Sequence, residues 1–447
     1  MKTNIARALA AGALAALLGG TLVACSGGDT DAAGGGKSDA AALDAALKKG
    51  GTIEYWTWTP QAKDQIAEFE KEYPKVKVNL TDTGGAGDSN TKLQNAISAG
   101  KGIPDVVQVE YQSVGQFQLP GYLTDLTQYG FADLKSKYTA STWANVTQNG
   151  GIWGLPQDSG PMALFYNKDV FEKYDLTVPT TWDQYIADAK KLHEADPTKW
   201  LVNDTGDAGL ATSLMWQAGG KPFKINGQKV TINTDDAGVK KYSDMWSQLI
   251  DQGLVGNISG WSDEWYKALG DGTIATVTLG AWMPGILTSG APDGAGKWAV
   301  APMPTYDGGE AVTAENGGST EVVPKGASNP VLGAAFLRWL NSNEKSIKVF
   351  MDDGGFPATV ADLHSDDFLN YKSDYFGGQQ INKVLAAAAD SVISGWQYLP
   401  WQAYANTIYT DDVGPAFQDK SDLYAGIQKW LNDNVKYGKE QGFTVNG

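Results

Sequence analysis

The stretch GTIEYWTWTPQAKDQIAEFEKEYPKVKVNLTDT, residues 51–83, decides how the rest of the chain is read. It opens as a strand with Tyr55, Trp56 and Trp58 crowded at its far end. Residues 61–74 then read as a helix, because Ile66, Phe69 and Tyr73 recur at spacings of three and four before Pro74 stops it. Residues 75–83 alternate and read as a second strand. A glycine-rich turn, GGAGDSN (84–90), leads into a helix through Ala99, and IPDVVQVE (103–110) reads as a buried strand. Strands alternating with helices in this way predict a parallel sheet covered by helices, with ligands at the carboxyl ends of the strands. Those ends carry Trp56 and Trp58, then Asp82 and Thr83, then Glu110 and Tyr111.

What precedes residue 51 reads differently. Lys2 and Arg7 lead into the apolar run ALAAGALAALLGG (8–20), which has the proportions of a secretory signal rather than of a membrane span. LVAC (22–25) resembles a bacterial lipobox, which implies cleavage after residue 24 and a diacylglyceryl group on Cys25. Cys25 is the only cysteine, so disulfides, zinc clusters and thiol catalysis are not expected of the mature fold. The Gly-, Ala-, Ser- and Asp-rich segment that follows is expected to be a flexible tether, with the folded part beginning after residue 50.

Hydrophobic residues make up 42% of the chain, enough for the cores of two domains. The net charge of −16 argues against nucleic acid and anionic lipid as partners. The 16 tryptophans are the unusual feature, and there is no internal repeat. A second αβ unit follows the first. Thr181 is a candidate N-cap for the helix through Ala195, residues 236–254 carry a helical stripe from Val239 to Leu249, and TIATVTLGAW (273–282) reads as a strand with Trp282 at its end. GAAFLRWLNSNEKSIKVFM (333–351) reads as one amphipathic helix.

Several blocks together resemble the extracellular solute-binding proteins of ABC importers, in the sugar-binding group that includes maltose-binding protein. They are IPDVVQVE, the segment 151–185 with Gly154-Leu-Pro156, Tyr166-Asn-Lys168 and Pro179-Thr-Thr-Trp182, then GTIATVTLGAW, and AFLRWLNSNEKSIKVFMDDGGFPA (335–358). The resemblance spans essentially the whole chain after Gly50. It implies an α/β, two-lobe periplasmic-binding-protein-like fold of type II, each lobe a mixed sheet flanked by helices. Residues 51–158 and 319–358 would form lobe one, and residues 162–305 and 362–447 lobe two. The crossovers would lie near 157–162, 305–319 and 356–362. It further implies a monomer without cofactor or metal, held at the outer face of the cytoplasmic membrane through Cys25. An oligosaccharide would sit between the lobes and pass to permease subunits on separate chains.

A pyranose has apolar C–H faces that indoles can cover and a hydroxyl rim that carboxylates and amides can bond. The candidate aromatic contacts are Trp56, Trp58, Tyr111, Trp216, Trp261, Trp282, Phe356 and Trp396. Trp261 and Trp265 are four apart and would share a helix face, with Trp261 the cleft residue. The candidate polar contacts are Asp82, Asn90, Glu110, Asp158, Glu315 and Asn316, and Gly317 would let backbone N–H groups approach closely. Two rival readings remain open. A glycoside hydrolase could pair Glu110 with Asp158 or Glu315. An importer receptor for a polyamine, metal chelate or peptide would also use aromatics and carboxylates. Only His193 and His364 exist, and no Ser-His-Asp order, phosphate loop or calcium loop presents itself.

Overall fold

The computed structural model describes residues 40–447, and the expected signal peptide and Cys25 lie outside them. The first lobe is built on a five-stranded sheet in the order Val76–Asp82, Gly51–Thr57, Val106–Glu110, Ser319–Val322, Leu155–Pro156. The first three strands are parallel, as the opening strand–helix alternation predicts. Ser319–Val322 returns from far along the chain and runs antiparallel between its neighbours. The helices Ala62–Glu72 and Pro330–Ser342 bury Phe69 and Phe336 edge-to-face, 4.8 Å apart, in one layer of this lobe's core.

The second lobe centres on the antiparallel strands Thr276–Gly280, Met162–Asn167 and Trp298–Ala301. Smaller sheets flank them: Val202–Asn203 with Val255–Gly256, and Phe223–Asn226 with Lys229–Ile232 and Thr444–Asn446. The core of this lobe takes in Trp182, Trp246, Trp298 and Trp430, all fully buried. Thr181 accepts the Gln184 N–H and so caps the helix Trp182–Ala195, and Asp236 does the same for Ala237–Asp251.

Two local expectations give way. Residues 40–49, expected to belong to the tether, are instead the helix Ala40–Lys49, which buries Leu43 and Leu47 against the lobe-one core. The helix expected over 333–351 is two helices, Pro330–Ser342 and Glu344–Asp352. Asn343 adopts an extended backbone between them, and its side chain accepts the Lys345 N–H, starting the second helix in a new direction.

Three segments run side by side between the two sheets. Asp158 bridges Pro357, and Pro161 bridges Glu315. The Ser159 N–H reaches the Phe356 carbonyl at 3.3 Å, and the Asn316 N–H reaches the Gly160 carbonyl at 2.7 Å. The fully buried Glu315 carboxylate ties this bundle together, accepting from Ser141 Oγ (2.6 Å), Ser159 Oγ (3.1 Å) and the Gly160 N–H (2.7 Å).

Candidate functional site

A cavity of about 400 Å³ opens where these segments meet the strand ends of both lobes. From lobe one come Trp58, Glu110, Gln112 and Asp158, and from lobe two Asp207, Ser213, Trp261 and Trp282. Asn316, Gly317, Gly318 and Ser319 form part of the wall. Among the described residues, no lysine, arginine or histidine lines it.

Each indole reaches the cavity for a local reason. Trp58 lies one residue past the strand that ends at Thr57, so it escapes the strand's alternation. Its N–H donates to Gln108 Oε1 at 3.1 Å, which fixes the chain as it leaves the sheet. Trp282 follows Gly280, where a Cβ would fall 2.4 Å from the indole nitrogen. Without that Cβ the indole lies across the strand end and donates to the Asn316 carbonyl at 2.6 Å. Trp261 is not on a helix: its φ is +66°, and the helix begins two residues later at Asp263, capped by Ser262. It is 47% exposed, while Trp265 behind it is buried. The Trp261 ring sits between Trp265 and Trp282, with centroids 5.0 and 5.8 Å away.

The polar lining is acidic. Asp158 accepts from Ser319 Oγ at 2.8 Å, and its carbonyl accepts the Tyr111 hydroxyl at 2.7 Å. Burial, with a smaller push from nearby Glu110, raises the Asp158 carboxyl to about 6 against the pull of the Ser319 donors. Burial also raises Glu110, against the bond from Gln112 Nε2 at 2.8 Å. Gly317 and Gly318 have φ of +73° and +90°, and a Cβ on Gly318 would fall 2.8 Å from the Tyr111 ring. Only glycine fits that turn.

Of the residues singled out in the sequence, Trp58, Glu110, Asp158, Trp261, Trp282, Asn316 and Gly317 come together around this cavity. The others lie outside it. Trp56 packs under the helix Ala86–Ala99, with Lys92 over its ring. Asp82 is exposed and accepts the Gly84 N–H. Asn90 donates to Ser113 Oγ, and Tyr111 is buried behind the glycine turn. Trp216 and Trp396 are buried and stack on each other, centroids 5.6 Å apart at 8°. Phe356 packs edge-to-face on Phe368, and Glu315 is enclosed in the crossover bundle. These residues satisfy one another because the strongest aromatic and carboxylate signals also build cores and joints.

Several lining residues escaped sequence reasoning. Tyr398 is two residues from Trp396, and Gln112 is two from Glu110, where the chain already turns into a helix. Asp207 caps the helix Ala208–Gln217 through the Leu210 N–H at 2.7 Å, and that helix's first two turns carry Gly209, Thr212 and Ser213 into the wall. An aspartate N-cap ahead of small polar residues was the available signal for this part.

The family profile described as bacterial extracellular solute-binding protein matches residues 55–347. The chain belongs to that family. This solute-binding protein resembles a solved ABC-transporter-associated binding protein of B. animalis subsp. lactis Bl-04 in complex with β-1,6-galactobiose. The two are 40% identical with a TM-score of 0.80, over 89% of this chain and 99% of that one. It also resembles the galacto-N-biose/lacto-N-biose I-binding protein of Bifidobacterium longum, solved with lacto-N-biose. There the identity is 26% and the TM-score 0.77, over 89% and 99% of the chains. The arabinooligosaccharide-binding protein of Bacillus subtilis is 28% identical over 77% of this chain and 83% of its own. Both solved relatives belong to ABC transporters, and both hold a disaccharide.

Proposed function

We propose that this solute-binding protein captures a neutral oligosaccharide between its lobes and delivers it, chemically unchanged, to an ABC permease made of separate chains. The observation that carries this reading is the cavity wall. Indoles from both lobes stand beside carboxylates with no cation among the described residues, so the site offers apolar faces and hydrogen-bond acceptors to a ligand rich in C–H faces and hydroxyl donors. The sugars named with its relatives support a β-linked galactoside as the first ligand class to try. The three crossover segments serve as the hinge, and ligand contacts made from both sides favour the closed arrangement. The molecule acts as a monomer at the cell surface. Its expected anchor on Cys25 predicts that a Cys25→Ser chain is released from cells; full retention at the membrane would count against the anchor.

Isothermal calorimetry with β-1,6-galactobiose and lacto-N-biose, against spermidine, tests the reading. Binding of a neutral sugar with a shift in tryptophan emission is expected. Spermidine binding with no neutral sugar bound would replace the ligand class, and release of reducing ends would make the protein a hydrolase. The same titration has a pH signature. Hydroxyl donors favour the ionised form of Asp158, so sugar binding near pH 6 releases protons, and affinity falls as the pH drops through about 6 toward 5. A flat profile would remove Asp158 from the contact set.

A further inference from the structure

The Gln112 carboxamide in the cavity wall belongs to a chain of hydrogen bonds that begins in the other lobe. The chain starts at a backbone group. The Leu399 N–H donates to Gln402 Oε1 at 3.1 Å, where the helix Gln402–Asp419 begins. Gln402 Nε2 donates to Asn406 Oδ1 at 2.9 Å, the two lying four apart and so on one helix face. Asn406 Nδ2 then donates across to Gln112 Oε1 at 3.4 Å. Gln112 Nε2 donates in turn to Glu110 Oε2 at 2.8 Å. The helix that carries Asn406 is rooted in the lobe-two core through Ala405, Tyr409 and Val413. Glu110 ends a strand of lobe one, and Gln112 lies in the first turn of the helix that follows.

A backbone N–H can only donate, so it fixes which end of the Gln402 amide faces it. Each amide then fixes the next, with its oxygen toward the donor behind and its NH₂ toward the acceptor ahead. The last acceptor is a carboxylate, which when ionised can only accept. The relay therefore has one polarity from end to end. A Gln112 side chain turned the other way would set its oxygen against Glu110 Oε2 and its NH₂ against the Asn406 NH₂, two encounters of like with like. In the observed orientation Gln112 occupies Oε2 of Glu110, and no protein donor among the described residues occupies Oε1. Asn406 itself does not line the cavity.

We infer that Asn406 is a positioning residue for sugar capture: without touching the ligand, it turns the Gln112 carboxamide so that Glu110 presents its free oxygen to a sugar hydroxyl once the lobes have approached. Only the Asn406–Gln112 step of this chain crosses between the lobes. At 3.4 Å it is the longest step, near the limit for a hydrogen bond. Separation of the lobes breaks it first and leaves the Gln112 amide free to turn. Closure restores it, so one wall of the site is completed from the lobe opposite. The bond onto Glu110 is of the charge-assisted class, and amides in series polarise one another, so the polarity set at Leu399 is felt at the carboxylate. Burial raises the Glu110 carboxyl and the Gln112 donor opposes that rise, which favours the accepting form. The inference rests on the reading of the cavity as a sugar site.

Calorimetry on the whole protein with β-1,6-galactobiose and lacto-N-biose tests the relay through substitutions at position 406. Asn406→Ala is expected to weaken binding about fivefold, and Asn406→Asp, almost unchanged in size, by roughly tenfold or more. The aspartate still accepts from Gln402 but offers Gln112 an acceptor, so it pulls that amide round and sets Gln112 Oε1 against Glu110. Asn406→Gln, which keeps the donor, is expected to stay within about twofold of the parent. A role in packing alone would instead leave the aspartate variant closest to the parent. On a Gln112→Ala background, Asn406→Ala is expected to add no further loss, because it acts only through that amide. Thermal melts establish that each variant is folded, and the two alanine substitutions decide the matter if Asn406→Asp is not. Asn406→Asp binding no more weakly than Asn406→Ala, or additive losses from Asn406→Ala and Gln112→Ala, overturns the relay and leaves the cleft's role standing. Failure of both disaccharides to bind the parent overturns the cleft reading and the relay with it.

Discussion

Trp282→Ala is expected to lower affinity for the cognate sugar by more than tenfold while leaving the protein folded. The indole is only partly buried, at the rim of the lobe-two core. One edge is fixed by the bond from Nε1 to the Asn316 carbonyl, and one face leans toward Trp261 at 40°. The ring is therefore held in place before ligand arrives, and ordering it on binding costs little. Aromatic anchors held in this way carry a disproportionate share of binding energy, and losing about 1.4 kcal/mol already means a tenfold change. Truncation also removes the donor that holds the Asn316 carbonyl beside the Gly317–Gly318 turn. Stability should change little by comparison, because the deep tryptophans of this lobe, Trp182, Trp246, Trp298 and Trp430, are untouched. Calorimetry beside a thermal melt checks both halves. Unchanged affinity in a folded variant would remove this ring from the site.

Glu315→Ala has the largest expected effect on stability, a loss on the order of 3–5 kcal/mol. Its carboxylate is fully buried and collects Ser141 Oγ, Ser159 Oγ and the Gly160 N–H. Alanine leaves those donors facing a cavity. Ser159 and Gly160 lie on one crossover, Glu315 on another, and Ser141 at the start of the helix Ala140–Val146 in lobe one, so the change also loosens the joint between the lobes. Glu315→Gln should cost less, because its amide oxygen still accepts and its NH₂ can donate to a serine hydroxyl. Burial is the leading influence on the Glu315 carboxyl and raises its pKa above the ordinary glutamate range. The folded state thus holds this proton more tightly than the unfolded state does. The parent's stability from this group is greatest below the ordinary glutamate pKa and is lost as pH rises through the raised one. Glu315→Gln should flatten that part of the pH–stability curve, and chemical denaturation at several pH values measures both effects. An alanine variant as stable as the parent would show that the joint does not depend on this carboxylate.

Much of the fold could be read before any coordinates. Residues 51–110 alternate strand and helix, and the pattern survives in the parallel pairing of the first three strands of lobe one. The cap at Thr181 stands where expected, and the stripe from Val239 to Leu249 lies on a helix that Asp236 caps. The helix Ala40–Lys49 was overlooked because it follows directly on the Gly- and Ser-rich segment, although AAALDAALKK is a strong helix former that spaces Leu43 and Leu47 four apart. Only the burial of Leu43 and Leu47 in a core completed by residues near 330–342 makes it ordered structure.

The candidate site was legible in kind but not in detail. Trp56 and Trp58 share one side of an ideal strand, yet the strand ends at Thr57, so one ring goes under a helix and the other into the cleft. Trp216 and Trp396 carried the same signal as Trp282, but they found each other across some 180 positions of sequence and became core.

Sequence by itself determined the element types, the family and the indole- and carboxylate-rich chemistry, because propensity, capping and motif spacing are local and survive without a partner. Which aromatics and carboxylates face open space was decided only in three dimensions. Burial is a relation between distant segments: Glu110 and Asp158 meet Trp261 and Trp282 only because a returning strand, Ser319–Val322, closes the first lobe and sets the crossovers against the second.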